Sequence, residues 1–397
     1  MYKRHIKHLY EDRNLTFKDL KEILHKIAFG EIKETYEKFD GANILFSWSY
    51  PSQELRVARS QTDIHAGGLN EAQIRSKFSD RPKLADMFGE AYTALHEAIN
   101  KLDLKVLKKI FDPINEIWIS AEILHQDNPN TIRYDNKNII LHRTGFSIFE
   151  NNDFLSKKCD LLSNHLKLQE NKSSWNITSP VLSNLPSMDK KIFDQHIHNL
   201  NLEIIKGRVS ENNTIDDFLT KSIIRFLSPI SSFSTSQLTE CANKILGKKS
   251  TLNREEVKKL NKIVKNYTNK INETIFPIEK IIFQFSCDTL KEQKSHFINN
   301  HTEEVSRLKT YAKKLIEDVK YSNTYEYADL LKTQLKKLNN IDEINSSMEG
   351  IVFIHNENIY KLTGVYAPIN RIKNLRDKIY KEHKQGKKTN FIFGGQK

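Results

Sequence analysis

The chain has 397 residues, 38% of them apolar and 28% charged, with a mean hydropathy of −0.59. That length allows a buried core and predicts two domains, and no apolar run approaches the roughly 20 residues a membrane-crossing helix needs, so no membrane partner is expected. The 62 Lys and Arg against 50 Asp and Glu give a formal charge of +12, which favours a polyanionic partner such as nucleic acid or a nucleotide; the dispersed Cys159, Cys241 and Cys287 exclude a disulfide framework or zinc ribbon and predict a reducing, cytoplasmic setting.

Thr16, with Asp19 three residues on, predicts the capped start of a helix running through Leu20, Ile23, Leu24 and Ile27 and closed by Gly30. The stretch Glu37-Lys38-Phe39-Asp40-Gly41-Ala42-Asn43 follows, and the apolar run Ile44, Leu45, Phe46 comes directly after it. An amine stands here on a turn, two residues from a carboxylate. Gly41 permits a tight backbone beside a ligand, and Asn43 offers an amide that both donates and accepts. The pattern suits a nucleophilic lysine or a plain surface hairpin. A lysine attacks only when neutral, so the first reading requires burial, a nearby cation or a metal to lower its pKa.

Residues 42–48 and 54–60 read as two antiparallel strands around Tyr50-Pro51-Ser52-Gln53, with Arg56 and Arg59 on the second, and Gln61 to Gly68 reads as a loop. Met87, Ala91, Leu95 and Ile99 recur every four residues in a helical stretch from Asn70 to about Ile110, which Pro113 ends. Ile117 to Leu124 is a predicted strand in which Glu122 stands out: a carboxylate among apolar neighbours needs a cation, a metal or a donor. A further strand spans Asn138 to Phe149. From about Asn151 the sequence becomes lysine- and asparagine-rich with helical spacing, for example at Leu252–Tyr267 and Glu303–Val319, where cations lie opposite the apolar stripe. Glu349 to Ile354 and Asn358 to Leu362 then form a predicted hairpin around His355-Asn356-Glu357, and a basic helix closes the chain. His196 and His198 have no third ligand nearby, and no phosphate-binding glycine loop or nucleophile elbow is present.

In their order along the chain, these pieces resemble the covalent nucleotidyltransferase superfamily of ATP-dependent RNA and DNA ligases and capping enzymes. Lys38-Phe39-Asp40-Gly41 looks like its nucleophile motif, Glu349-Gly350-Ile351-Val352-Phe353 like its glutamate-glycine strand motif, and Lys361 like the lysine of the following strand. Glu122 resembles the strand-borne glutamate of its third motif, and Arg59 the arginine after the nucleophile strand pair. The run Glu37 to Asn43 matches RNA ligases of the phage and RNA-editing type, since DNA ligases usually carry arginine where Asn43 stands. His8 to Asp12 resembles ligase-like proteins of tailed bacteriophages, which would put the chain in a host cytoplasm. The sequence departs from the pattern in carrying one lysine, Lys361, on the final strand, and Leu141-His142 where Phe-Asp is common. Only about 36 residues follow Lys361, too few for the OB-fold many ligases add.

The resemblance implies an α+β fold with a nucleotidyltransferase (ATP-grasp-like ligase adenylation) core of antiparallel sheets. That core would occupy residues 1–150 and 345–397, interrupted by a mostly helical insertion at 151–344. It implies ATP and Mg²⁺ as cofactors, nucleic acid as partner with RNA favoured over DNA, and a lysyl-AMP intermediate. Lys38 would be the nucleophile, Lys361 the phosphate-neutralising cation and Glu349 the metal ligand. Glu37, Asp40, Gly41, Asn43, Arg59 and Glu122 would hold the nucleotide, with Phe146 stacking on adenine. Structural readings stand beside these: Glu122 and Arg59 as an ion pair, Lys361 as a strand lysine reaching solvent, and Phe146 as core. The functional alternatives are a ligase-like binding protein without catalysis and a protein adenylyltransferase.

Overall fold

The computed structural model describes residues 6–114, 116–127, 130–146, 152–167, 174–180, 185, 187–320, 344–356 and 358–385. The fold is α+β, with two sheets and many helices. Its strands are β1 (Lys7–His8), β2 (Thr35–Lys38), β3 (Ala42–Ser49), β4 (Glu54–Ala58), β5 (Trp118–Leu124), β6 (Asn138–Phe146), β7 (Asn176–Thr178), β8 (Gly350–His355) and β9 (Asn358–Leu362). They form a four-stranded sheet, β1-β9-β8-β2, and a five-stranded sheet, β4-β3-β5-β6-β7. Most neighbours are antiparallel, but β1 runs parallel to β9 and β6 parallel to β7. The expectation of purely antiparallel sheets is corrected by these two edge pairings, each of which joins strands far apart in sequence.

Before the first lysine-bearing strand, Thr16 accepts from the Asp19 N–H while the Asp19 carboxylate reaches back to the Thr16 N–H, opening α1 (Phe17–Ala28). The segment at 61–68, read as a loop, instead carries the short helix α2 (Gln61–His65). Ser60 caps it by accepting from the Asp63 N–H. Gly67 and Gly68 follow in the left-handed region, φ +81° at both, and a Cβ at Gly68 would lie 2.6 Å from Trp118. Then come α3 (Glu71–Lys77), α4 (Pro82–Ile99) and α5 (Leu104–Ile110). Beyond β6 the helices are α6 (Asn152–Lys167), α7 (Lys190–Gly207), α8 (Ile215–Leu227), α9 (Thr235–Ile245), α10 (Arg254–Ile275), α11 (Pro277–Leu290) and α12 (His301–Lys320), and a final helix spans Tyr366–Gln385. No described helix is long and apolar enough to cross a membrane.

Successive strand residues point to opposite faces, and each sheet uses this to bury one face under helices. In the five-stranded sheet, Ile44, Phe46, Ile119, Ala121, Ile123, Ile139 and Leu141 pack beneath α3 to α6. Asn43, Glu122 and His142 occupy the other face. In the four-stranded sheet, Ile351, Phe353, Tyr360 and Leu362 pack against α1 and α7 to α11, which leaves Tyr36, Lys38, Val352 and Lys361 on the other side. The residues 151–344 are mostly helical where described, yet they share the cores of the sheets: α6 and β7 complete the five-stranded layer, and α7 to α11 cover the back of the four-stranded one.

The chain passes from one sheet to the other through Phe39, Asp40 and Gly41, immediately after Lys38. A third core of Phe39, Leu124, Ile132, Tyr134, Ile140, Leu308, Leu315, Tyr366, Ile369 and Ile372 seals this junction. Fully burying one such side chain is worth about 1.5–3 kcal/mol, so the crossing is held on an apolar base rather than left as a surface hairpin. Gly41 is obligatory there by contact. A Cβ would lie 2.5 Å from the Ile123 carbonyl oxygen and 2.6 Å from Glu122 Cγ.

Candidate active site

Lys38 ends β2 and pairs in register with Gly350 of β8, which sets the preceding Glu349 beside it. The Lys38 amine donates to both carboxylate oxygens of Glu349, at 2.6 Å each. The side chains are 22% and 7% exposed. Residues 311 apart in sequence thus meet as a buried ion pair. Burial by itself pushes the Lys38 amine down, but Glu349 outweighs it, with Glu122 and Asp40 adding to its pull, and the amine is held above its ordinary value. The neutral amine expected of a nucleophile is therefore not the resting form; Lys38 is charged because its nearest neighbour is an anion.

Glu349 shows the complementary perturbation. Burial pushes its carboxyl up to about 7, against the pull of Lys38, and the neighbouring carboxylates of Asp40 and Glu122 push the same way. Three carboxylates, Glu349, Asp40 and Glu122, therefore share one electrostatic neighbourhood with the lysines Lys38 and Lys361. Among the described residues, no group of three or more His, Cys, Asp or Glu side chains converges as a metal site. The donor set fits a hard cation that takes one protein carboxylate and completes its shell from phosphate and water, and it does not fit a cage built by protein alone.

Lys361 lies on the same face, opposite Val352 in the β8–β9 pair and opposite His8 on β1. Burial pushes its amine down to about 8, and the Lys38 and Arg371 cations add to the effect, against Glu11 and Glu349. Its pKa is lowered, so Lys361 binds fewer protons in the folded protein than in the unfolded chain between about 8 and about 10.4, and its own contribution to stability rises with pH across that window. The penalty below pH 8 is up to about 3 kcal/mol. Lys361→Met is expected to raise the urea midpoint at pH 7.5 and to flatten its rise toward pH 9.5; an unchanged pH profile would show that Lys361 titrates normally.

Asp40 is buried and serves the scaffold. Its carboxylate accepts the N–H groups of Thr131 at 2.5 Å and Ile132 at 2.9 Å, and its own N–H donates to the Tyr134 hydroxyl at 2.8 Å. Burial raises its pKa against the influence of those donors and of Lys38. Asn43 stands opposite Glu122 in the β3–β5 register, and its amide donates to the Ser120 hydroxyl at 2.9 Å. Glu122 meets the His142 ring at 3.2 Å.

Two residues of the expected nucleotide set stand elsewhere. Glu37 points to the opposite face of β2 from Lys38, as strand alternation dictates, and its carboxylate accepts from the backbone N–H of His296 at 3.1 Å and lies 3.0 Å from the His296 ring. The Arg59 guanidinium lies 4.8 Å from the centre of the Phe88 ring, in the helix-covered core on the far side of the sheet from Asn43 and Glu122. Its backbone N–H donates to Asp63. Phe146 pairs in register with Trp118 at the end of β6, but its side chain lies outside the described residues.

One residue not singled out from the sequence, Arg143, ties the sheets together. Arg143 donates to the Tyr36 hydroxyl of the four-stranded sheet at 2.7 Å and grips Asp160 of α6 at 2.7 and 3.1 Å. The pairing of β5 and β6 slips between Ile119 and Ala121, and at this irregularity the consecutive His142 and Arg143 reach Glu122 and Tyr36. The signal available in sequence was the polar His142-Arg143 pair inside an otherwise alternating strand. The chain was compared with protein-family models, curated proteins and solved structures, and it matches none of them.

Proposed function

We propose that the chain is an ATP-dependent polynucleotide ligase, acting on RNA in preference to DNA, whose first step transfers AMP to Lys38. One observation carries the reading: Lys38 and Glu349, from opposite ends of the chain, meet at 2.6 Å on the sheet face that also carries Lys361.

In the first step the Lys38 nitrogen bonds to the α-phosphorus of ATP, the bond from that phosphorus to the bridging oxygen breaks, and pyrophosphate leaves. The amine must be neutral to attack. Burial favours the neutral form, while Glu349 chiefly opposes it, so attack requires the Lys38–Glu349 contact to open. Lys361 then faces the α-phosphate as its neutralising cation. Glu349 would hold Mg²⁺ jointly with the nucleotide's phosphates, and the ion's charge would stabilise the departing pyrophosphate. AMP next passes to a 5′-phosphate, and a 3′-hydroxyl displaces it to seal the strand.

ATP labelled at the α-phosphate tests this. An adduct that survives denaturation, is released by acid and is missing from Lys38→Ala is the expected result, and sealing of nicked or single-stranded 5′-phosphorylated RNA then separates ligation from adenylylation of a protein. The position of Arg59 on Phe88 favours a second reading, a ligase-like fold that binds nucleic acid without catalysis. On that reading no adduct forms.

A further inference from the structure

The segment from Asn130 to Tyr134 is fixed from two sides. The backbone N–H groups of Thr131 and Ile132 donate to Asp40, two residues after Lys38, and the Thr131 carbonyl accepts from Arg307 of α12. Between this segment and the outer face of α12 runs an open groove of about 760 Å³. Arg133 lines one side, and Ser306, Arg307, Thr310, Tyr311 and Lys314 line the other. Arg307 is anchored on the buried carboxylate of Glu304. Arg133 and Lys314 are exposed, and their side chains make no hydrogen bond or ion pair among the described residues. Glu303 is the one acid on the wall, and it accepts from the Asn300 amide at 3.0 Å.

We propose that this groove seats a single-stranded polynucleotide and guides its 5′-phosphate end toward Lys38, an assignment that rests on the ligase reading above. The composition of the wall fits that ligand. Free cations track a phosphate backbone, and Tyr311 offers a ring for a base. The Ser306 and Thr310 hydroxyls offer partners for a sugar 2′-hydroxyl, the group that separates RNA from DNA. The location fits as well: Arg133 lies between Ile132 and Tyr134, both hydrogen-bonded to Asp40, which ties this wall of the groove to the chain two residues from Lys38.

The test is fluorescence anisotropy of a 5′-phosphorylated, 3′-labelled single-stranded RNA with the full chain at several salt concentrations, for the wild type and for Arg133→Gln/Lys314→Gln. Loss of two phosphate contacts should weaken binding about tenfold or more and reduce the salt slope by about 1.4. Tyr311→Leu, which keeps an apolar side chain against the core, should weaken binding without altering the slope. Adduct formation with labelled ATP should be unchanged in both variants, because the nucleotide does not use the groove. Equal RNA affinity in wild type and the double variant would overturn the groove assignment whatever the adduct shows. Weakened binding in a protein that forms no adduct would instead overturn the ligase reading and leave the groove as a nucleic-acid site.

Discussion

Lys38→Ala is expected to abolish the acid-labile adduct with α-labelled ATP and to destabilise the fold by about 3 kcal/mol at pH 8, because it strands a buried carboxylate. The pH dependence identifies the cause. Without Lys38, Glu349 keeps its burial and its carboxylate neighbours but loses the cation that held its carboxyl down to about 7. Its pKa rises further, so the folded variant binds more protons than the unfolded chain from about pH 4.3 to above 7, and stability falls as pH rises through that range. The deficit relative to wild type should thus be small at pH 6 and widen toward pH 8. Lys38→Ala/Glu349→Gln, which removes the stranded charge, should recover much of the loss without restoring the adduct. Urea unfolding of the three proteins at both pH values checks this, and a deficit independent of pH would show that Glu349 is not the group left behind.

Gly350→Ala should be nearly as damaging, for a reason that involves no charge. Gly350 pairs with Lys38 across β2 and β8, and a Cβ at this position would run into the Leu362 carbonyl oxygen and stand 3.0 Å from Thr363 Cγ2. The first obstacle is backbone and has no rotamer to swing away. The β8–β9 hairpin must shift, which for overpacking of this kind costs about 3 kcal/mol, and Glu349 moves with it. Loss of both stability and adduct is the expected outcome, measured by urea unfolding and labelled ATP. A variant as stable as the wild type would mean that the hairpin is looser than its register implies.

What the sequence made legible was the local and periodic part of the structure. The Thr16–Asp19 cap, the four-residue spacing from Met87 to Ile99 and the hairpin around Asn356 are settled by neighbours a few residues apart, and each appears where the pattern put it. The meeting of Lys38, Glu349 and Lys361 was legible only through their resemblance to an ordered motif set, since no periodicity links positions more than 300 apart. Glu37 and Arg59 went elsewhere because a motif does not say which face a residue takes. Alternation along β2 sends Glu37 to His296, and the guanidinium of Arg59 finds the Phe88 ring. Arg143 was missed because the bulge that aims it belongs to the pairing of two strands, and neither strand carries it alone.

The charge state of Lys38 was the part least accessible to sequence. A nucleophilic role predicted a depressed amine, and burial does push it down, yet a bidentate carboxylate outweighs that effect. Glu349 thus acts as a clasp on Lys38 in the free protein.

The order β1-β9-β8-β2 bears on biosynthesis. Lys7 must wait for Tyr360 and Lys38 for Gly350, so a ribosome has to deliver more than 300 further residues after β2 before that layer can close. Contacts this distant along the chain form late and slowly. A translation product interrupted near residue 340 would carry Lys38 but neither Glu349 nor Lys361, and β2 would lack the strand it pairs with.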